Sequence, residues 1–115
     1  MDSSCLFCRI AAGEIPARCA FRDEAVLAIE DVNPQAPTHV LVIPIAHHTG
    51  IDALADAGDG ALMARLFETA ARIGRERGGE GGFRLVVNTG ADGGQTVGHL
   101  HVHVLAGRAM TWPPG

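Results

Sequence analysis

Near its C-terminal end the chain reads Gly98-His99-Leu100-His101-Val102-His103-Val104-Leu105, with histidine alternating against aliphatic residues. A period of two belongs to a β-strand, in which successive side chains point to opposite faces of the sheet. A strand over Val97–Leu105 therefore sends Leu100, Val102 and Val104 into a core and sets His99, His101 and His103 in a row on the other face. Whatever fold the chain adopts has to supply an apolar layer on one side of this segment and accommodate three imidazoles on the other.

The rest of the sequence supplies partners for such a strand. Arg18–Arg22 and Ala25–Ile29 flank Asp23-Glu24 and predict an antiparallel hairpin. Thr38–Pro44, with Val40-Leu41-Val42-Ile43 at its centre, predicts a central strand buried on both faces. Phe83–Asn88 predicts a further strand. Cys5–Ala12 predicts one or two helical turns, with Leu6, Phe7 and Ile10 as a buried stripe and Gly13 as the stop. From Asp59 to Arg77, Leu62, Leu66, Ala70 and Ile73 recur at helical spacing; Asp59 can cap the start and Gly78-Gly79 the end, so this is the one long helix. Asn33-Pro34-Gln35-Ala36-Pro37 cannot join a ladder because proline lacks the N–H. With 115 residues, no internal repeat and no dividing linker, the expectation is a single α+β domain over residues 1–115, with one long helix on a mainly antiparallel sheet of about five strands.

Hydrophobic residues make up 47% and charged residues 19%, enough apolar surface for a core and too little charge for disorder. The formal net charge of -4 disfavours nucleic acid, whose binders carry a basic face, and points to small ligands. No apolar run is long enough to span a bilayer, and Met1-Asp2-Ser3-Ser4 carries no basic segment followed by an apolar run. Cys5, Cys8 and Cys19 are an odd set with two members too close for an ordinary disulfide framework, which fits a reducing cytoplasm and no membrane association.

Three readings of the histidine row stay open on the residues alone. Imidazole titrates near neutrality and its neutral nitrogen is nucleophilic, so a row of them can attack phosphorus and handle protons. Three imidazoles on one face also suit a metal, and each could simply be a packed residue. The loop Asp92-Gly93-Gly94-Gln95-Thr96 just before the row favours phosphate chemistry, since glycines let backbone N–H groups approach an anion and Thr96 adds a hydroxyl. Asp31, before the proline loop, can accept from a ribose diol or merely cap a turn. His39 opens the central strand within possible reach of the row. Cys5-x-x-Cys8 has zinc-knuckle spacing, with His47 or His48 and His99 as candidate further ligands; a reduced, packed pair is the alternative.

The run His99-Leu100-His101-Val102-His103-Val104-Leu105 resembles the motif of the histidine triad (HIT) family. Glu14-Ile15-Pro16-Ala17, Asp31 through His39, Leu41–Pro44, Val87-Asn88, Gly93 through Val97 and Trp112-Pro113-Pro114-Gly115 are similar to its histidine-triad nucleotide-binding branch, more than to the dinucleoside polyphosphate hydrolases of the same superfamily. The resemblance implies a homodimer with the sheet continued across it, and hydrolysis of purine nucleoside phosphoramidates such as adenosine 5′-phosphoramidate. An AMP-binding or scaffold module with incidental hydrolysis is the other class it leaves open. It implies that His101 is the nucleophile, with His99, His103 and His39 around it. Asp31 and Val32 then match ribose and base contacts, Asn88 a ribose or phosphate contact, and Gly94, Gln95 and Thr96 the phosphate loop, where serine is more frequent than Thr96. Purine nucleotides (AMP, GMP or their phosphoramidates) are the implied ligands. The chemistry needs no cofactor, while Cys5, Cys8, His47 and His99 match the positions where zinc-containing members hold a structural zinc. The tryptophan tail resembles a segment that reaches toward the partner's active site.

Overall fold

A computed structural model describes residues 4–115; Met1–Ser3, part of the stretch read for an export signal, lie outside it. The elements run α1 (Leu6–Ala11), β1 (Cys19–Arg22), β2 (Val26–Glu30), β3 (Thr38–Pro44), α2 (Ile51–Ala57), α3 (Gly60–Gly78), a short 3-10 turn (Gly79–Gly81), β4 (Phe83–Val86) and β5 (Val102–Ala106). The five strands form one sheet in the order β1-β2-β3-β5-β4, every neighbouring pair antiparallel. The α+β architecture, the long helix and the central place of Thr38–Pro44 are as the sequence predicts.

Alternation along the strands divides the apolar residues between two layers. Val26 and Ala28 of β2, Val40 and Val42 of β3, and Val102 and Val104 of β5 pack with Leu54 of α2 and Leu62, Leu66, Ala70 and Ile73 of α3. Leu27, Ile29, Leu41 and Ile43 point the other way and pack with Cys5, Phe7, Cys8 and Ala11 of the α1 region. The sheet is thus covered on both faces, by nineteen residues of helix on one and a helix of six on the other. That imbalance leaves part of the α1 face open, and the histidines occupy it.

The turns follow their sequence signals. Asp23 closes the hairpin, its Oδ1 accepting the N–H groups of Ala25 at 2.9 Å and Val26 at 2.8 Å. Asp59 caps α3 by accepting the Leu62 N–H at 3.0 Å, and Gly79 ends it with a φ of 56°. On the surface Arg77 grips Glu30 with two bonds, of 2.9 and 2.7 Å, joining the last turn of α3 to β2.

Four sequence expectations need correction. Helix α2 has no capping side chain at Gly50 and is only seven residues long, so neither a cap nor a long period announced it. Leu6 lies on the exposed side of α1, and Phe7, Cys8 and Ala11 form its buried face, because the two cysteines rather than the leucine set the helix's rotation. The strand expected over Phe83–Asn88 stops at Val86, and the one expected over Val97–Leu105 starts only at Val102. The cause is shared: residues 98–101 leave the ladder, and the Leu100 N–H donates instead to the His48 carbonyl at 2.7 Å. Alternation nevertheless persists through this extended stretch, with Leu100 in the same core as Val102 and Val104.

Gly74 marks the closest approach of α3 to β4: a Cβ there would lie 2.4 Å from Cδ2 and 2.5 Å from Cγ of Phe83. An alanine gains about 0.5–1 kcal/mol of helix propensity, whereas overpacking of this kind costs about 1–3 kcal/mol, so the clash wins. Gly74→Ala is expected to lower the unfolding free energy by about 1–2 kcal/mol in denaturant titration, against the usual sign for glycine replacement within a helix.

Candidate functional site

The row of imidazoles forms, but not as a uniform ladder. His103 lies in β5 opposite Leu41, and His39 lies in β3 opposite Leu105, so the two are diagonal neighbours on the α1 face. Aromatic side chains reach across such a diagonal, and His39 Nε2 sits 2.9 Å from His103 Nδ1. His101 precedes the strand with its ring centroid 5.0 Å from that of His103. His99 turns away from both and enters a cluster with Cys5, Cys8 and His47.

Hydrogen-bond partners assign the proton on each ring. The Gln35 backbone N–H donates to His39 Nδ1 at 3.0 Å, so that nitrogen is the acceptor and His39 Nε2 carries the hydrogen. His39 Nε2–H then donates to His103 Nδ1, with Asp31 Oδ2 a further 3.5 Å neighbour. With Nδ1 accepting, His103 bears its hydrogen on Nε2, the one buried side-chain N or O among the described residues without a partner. His101 Nδ1–H donates to the His99 carbonyl at 2.8 Å, which leaves the lone pair on His101 Nε2. The row therefore carries a nucleophilic nitrogen on His101 and, on the adjacent ring, a buried N–H on His103.

Burial favours the neutral form of His39 and His103. The His103 pKa is lowered to about 4 by desolvation first and then by its neighbours His101 and His39, with Asp31 opposing. His39 is likewise lowered by burial, again against Asp31. Asp31, His39 and His103 approach closely enough to suggest a metal trio, but the Gln35 N–H already occupies His39 Nδ1 and keeps the proton on Nε2. Within the trio, His39 Nε2–H donates to His103 Nδ1 and Asp31 Oδ2 stands 3.5 Å from the same Nε2.

The second cluster has the opposite character. Cys5 Sγ lies 3.3 Å and Cys8 Sγ 3.5 Å from His99 Nδ1, Cys8 Sγ lies 3.2 Å from His47 Nδ1, and the two Nδ1 atoms are 3.1 Å apart. A tetrahedral zinc with bonds of about 2.0–2.3 Å places neighbouring donors about 3.3–3.8 Å apart, so these two sulfurs and two nitrogens, some slightly closer together than that, are gathered on the scale of such a site. His99 Nε2–H donates to the Pro44 carbonyl at 2.7 Å, which bares Nδ1 for coordination. Burial lowers the His99 pKa and so holds the ring in its ligand form. Of the two histidines after β3, His47 is the one in the cluster.

The remaining predicted residues are placed unevenly. Asp31 spends Oδ1 on the Asn33 N–H at 2.8 Å, closing the turn that carries the fully exposed Val32. Asn88 follows β4, half-buried. Gln95 is a brace: its Nε2–H groups donate to the Thr49 and Val97 carbonyls at 2.6 and 2.9 Å, and its Oε1 accepts the Gly90 N–H at 3.0 Å. The Gly94 and Gln95 N–H groups donate to Ala91 and Gly90 carbonyls within the loop, and Thr96 is exposed. Gly93 admits no side chain, since a Cβ would meet the Thr89 oxygen at 2.2 Å. A cavity of about 660 Å³ is lined by Cys8, Ala25, His47, Leu62 and Arg65 among others, and neither His101 nor His103 lines it.

Two features escaped sequence reasoning. Phe7, between the cysteines, packs edge-on against both His99 and His101, with ring centroids 5.8 and 5.2 Å apart. The backbone groups of Gln35, Pro44 and His99 that orient the imidazoles had no sequence signal at all.

Fold and site define an α+β protein organised around a sheet-borne histidine row with a cysteine–histidine cluster at its start. The HIT domain matches residues 12–110, and the chain belongs to that family. It is similar to the 14 kDa zinc-binding protein of Zea mays, 44% identical over 116 residues that cover 99% of this chain and 90% of the relative. Adenylylsulfatase HINT1 of Arabidopsis thaliana is 41% identical, covering 99% and 78% respectively. Among solved structures, a HIT family hydrolase from Legionella pneumophila Philadelphia 1 superposes with a TM-score of 0.92 at 49% identity, covering 97% of this chain and 100% of that one.

An unfolded histidine titrates near 6.5, and folded His103 near 4. Between those values the unfolded chain binds the extra proton, so this group's contribution to stability is full above pH ~6.5 and is lost as the pH falls toward 4. Nitrogen NMR of the imidazoles is expected to show His103 neutral, with hydrogen on Nε2, down to about pH 4.

Proposed function

We propose that this protein hydrolyses purine nucleoside 5′-phosphoramidates, of the adenosine 5′-monophosphoramidate type, through a nucleotidyl group carried on His101. The observation that carries this reading is the polarity of the row. His101 Nε2 bears a lone pair, and the neighbouring His103 ring, its centroid 5.0 Å away, bears an N–H on Nε2 that no protein group accepts, the pairing needed to attack a phosphorus atom and hold one of its oxygens.

His101 Nε2 attacks the α-phosphorus as the P–N bond to the amine breaks. The His103 Nε2–H bonds a non-bridging oxygen. The negative charge of the arriving phosphate favours protonation of the otherwise neutral His39–His103 pair, which then supplies the proton with which the amine departs. Water cleaves the P–Nε2 bond, releasing the nucleoside monophosphate and restoring neutral His101. Two displacements at lower barriers replace one difficult hydrolysis. The Thr96 hydroxyl is assigned to the phosphate, and Gly94 and Gln95 shape the loop that presents it. Asp31 and Asn88 are assigned to the ribose and phosphate, and Val32 to the base. The Arabidopsis relative is an adenylylsulfatase, and hydrolysis of an adenylyl group from sulfate attacks the same phosphorus with a different leaving group.

Zinc is the ion assigned to Cys5, Cys8, His47 and His99. The name of the Zea mays relative supports it, as does the gathering of two thiols and two imidazoles within 4.8 Å of one another. Its role is to pin α1 to the sheet, with no part in bond making. We further assign the chain to one domain over residues 1–115, to the cytoplasm, and to a homodimer that continues the sheet through the free edge of β4, consistent with that strand's terminal place in the sheet and with a Trp112 that is 83% exposed.

Rapid quench with labelled adenosine phosphoramidate is expected to trap a nucleotidyl adduct on His101. His101→Gly should form none and lose turnover while still binding AMP; an adduct elsewhere, or no amine release by the native protein, overturns the reading. Thr96→Val is expected to lower turnover by ~10²-fold, the typical effect of losing one such donor. Metal analysis is expected to find zinc in the native protein, and Cys8→Ala to weaken zinc binding by more than the ~10–100-fold that loss of an outer partner costs, with a lower Tm.

A further inference from the structure

We propose that Phe7 is the positioning residue through which the cysteine–histidine cluster holds the nucleophilic ring, so that the state of the metal site sets the geometry of His101. The inference rests on reading His101 as the nucleophile and goes beyond it, since it assigns a role to a side chain that touches neither metal nor nucleotide.

Phe7 is buried between Cys5 and Cys8, and both of those reach His99 Nδ1. Its ring stands at 84° to the His99 ring and at 76° to the His101 ring. Aromatic rings favour this edge-to-face arrangement, and it fixes an orientation as well as burying area. His101 is thus held on three sides: by Phe7, by the His103 ring at 66°, and by the His99 carbonyl that accepts its Nδ1–H. Two of the three lead back to the cluster, because His99 is itself one of its donors.

The helix that carries Phe7 cannot hold its own position. Six residues are far below the length at which an isolated helix persists in water. Beyond its apolar face, α1 is tied at its C-terminal end by Arg22, which donates to the Ala11 carbonyl at 3.0 Å, and at its N-terminal end by the cluster, where Cys5 Sγ caps the Cys8 N–H at 3.3 Å. With the cluster closed, Phe7 is clamped against His101 and Nε2 is aimed. With it open, the start of α1 is released, the ring loses its wall, and rotation about its side-chain torsions is no longer opposed. A neutral imidazole freed in this way populates both tautomers.

Two measurements decide it. In the first, Phe7→Leu, which keeps an apolar side chain but removes the ring, is compared with the native protein for zinc content, AMP affinity, single-turnover adduct formation and the imidazole nitrogen spectrum. Zinc content and AMP affinity are expected to be unchanged. Adduct formation is expected to slow by about ten- to a hundredfold, the range for a misplaced reacting group, as a loss in kcat with KM held. His101 is expected to change from a single Nδ1–H tautomer to a mixture. In the second, Zn²⁺ is titrated into metal-free native protein while the His101 signal is followed without substrate; it is expected to sharpen from a mixture to the single tautomer as the site fills. A Phe7→Leu protein that keeps zinc and shows the native His101 signal and rate overturns the proposal. So does a His101 signal indifferent to Zn²⁺, and this second measurement decides the matter even where the variant fails to fold. Failure of the nucleophile reading shows itself separately, as absence of an adduct on native His101.

Discussion

Residues 98–103 meet an apolar layer on one side and set imidazoles on the other, and the rest of the site depends on how that boundary is held. Leu100, Val102 and Val104 are at most 1% exposed beneath α3. Each such side chain contributes about 1.5–3 kcal/mol when fully buried, so a slip of one residue, which exchanges the two faces, would be strongly opposed. The apolar anchors therefore determine which way the imidazoles point. Because the anchors persist through the extended segment before β5, the ladder can end at Val102 without disordering the row.

Holding four imidazoles at such a boundary has a cost that the surrounding backbone offsets. His39, His99 and His101 are all less than a tenth exposed, and an unpaired buried polar group costs about 1–3 kcal/mol. Gln35 supplies an N–H to His39, and the carbonyls of Pro44 and His99 accept from His99 and His101. Among the buried side-chain nitrogens and oxygens of the described residues, His103 Nε2 is left over, next to the ring whose Nε2 carries a free lone pair. The same matching makes each ring a defined tautomer, and tautomer is what separates a nucleophile from a donor among chemically identical side chains.

The cluster at the start of the row solves a related problem for the smaller layer. A six-residue helix buries little area, and HIT relatives described as zinc-binding exist. Cys5, Cys8, His47 and His99 come from three separate parts of the chain, so joining them ties α1, the end of β3 and the histidine segment at one point. Gln95 braces the glycine loop to Thr49 and Gly90. The loop is rigid by side-chain bonding, and its glycines serve close approach, as at Gly93, as much as anion contact.

The sequence by itself determined which residues alternate, where α3 starts and stops, that Asp23–Glu24 turn a hairpin, and that Cys5 and Cys8 have the spacing of a metal knuckle, with His47 or His48 and His99 as further candidates. These are properties of local periodicity, capping chemistry and residue type, and they survive in any compact arrangement that buries the apolar positions. Only the tertiary structure decided that β5 begins after His101, that Leu6 faces out and Phe7 in, that α2 forms against the core through Leu54, and that His39 presents Nε2–H rather than Nδ1–H. Each of those depends on a partner distant in sequence: the His48 carbonyl, the sheet under α1, the α3 layer, and a backbone N–H at Gln35 placed by the turn before β3. A pattern along the chain records which side of a residue is apolar. The direction of a hydrogen bond exists only once its other half has been brought alongside.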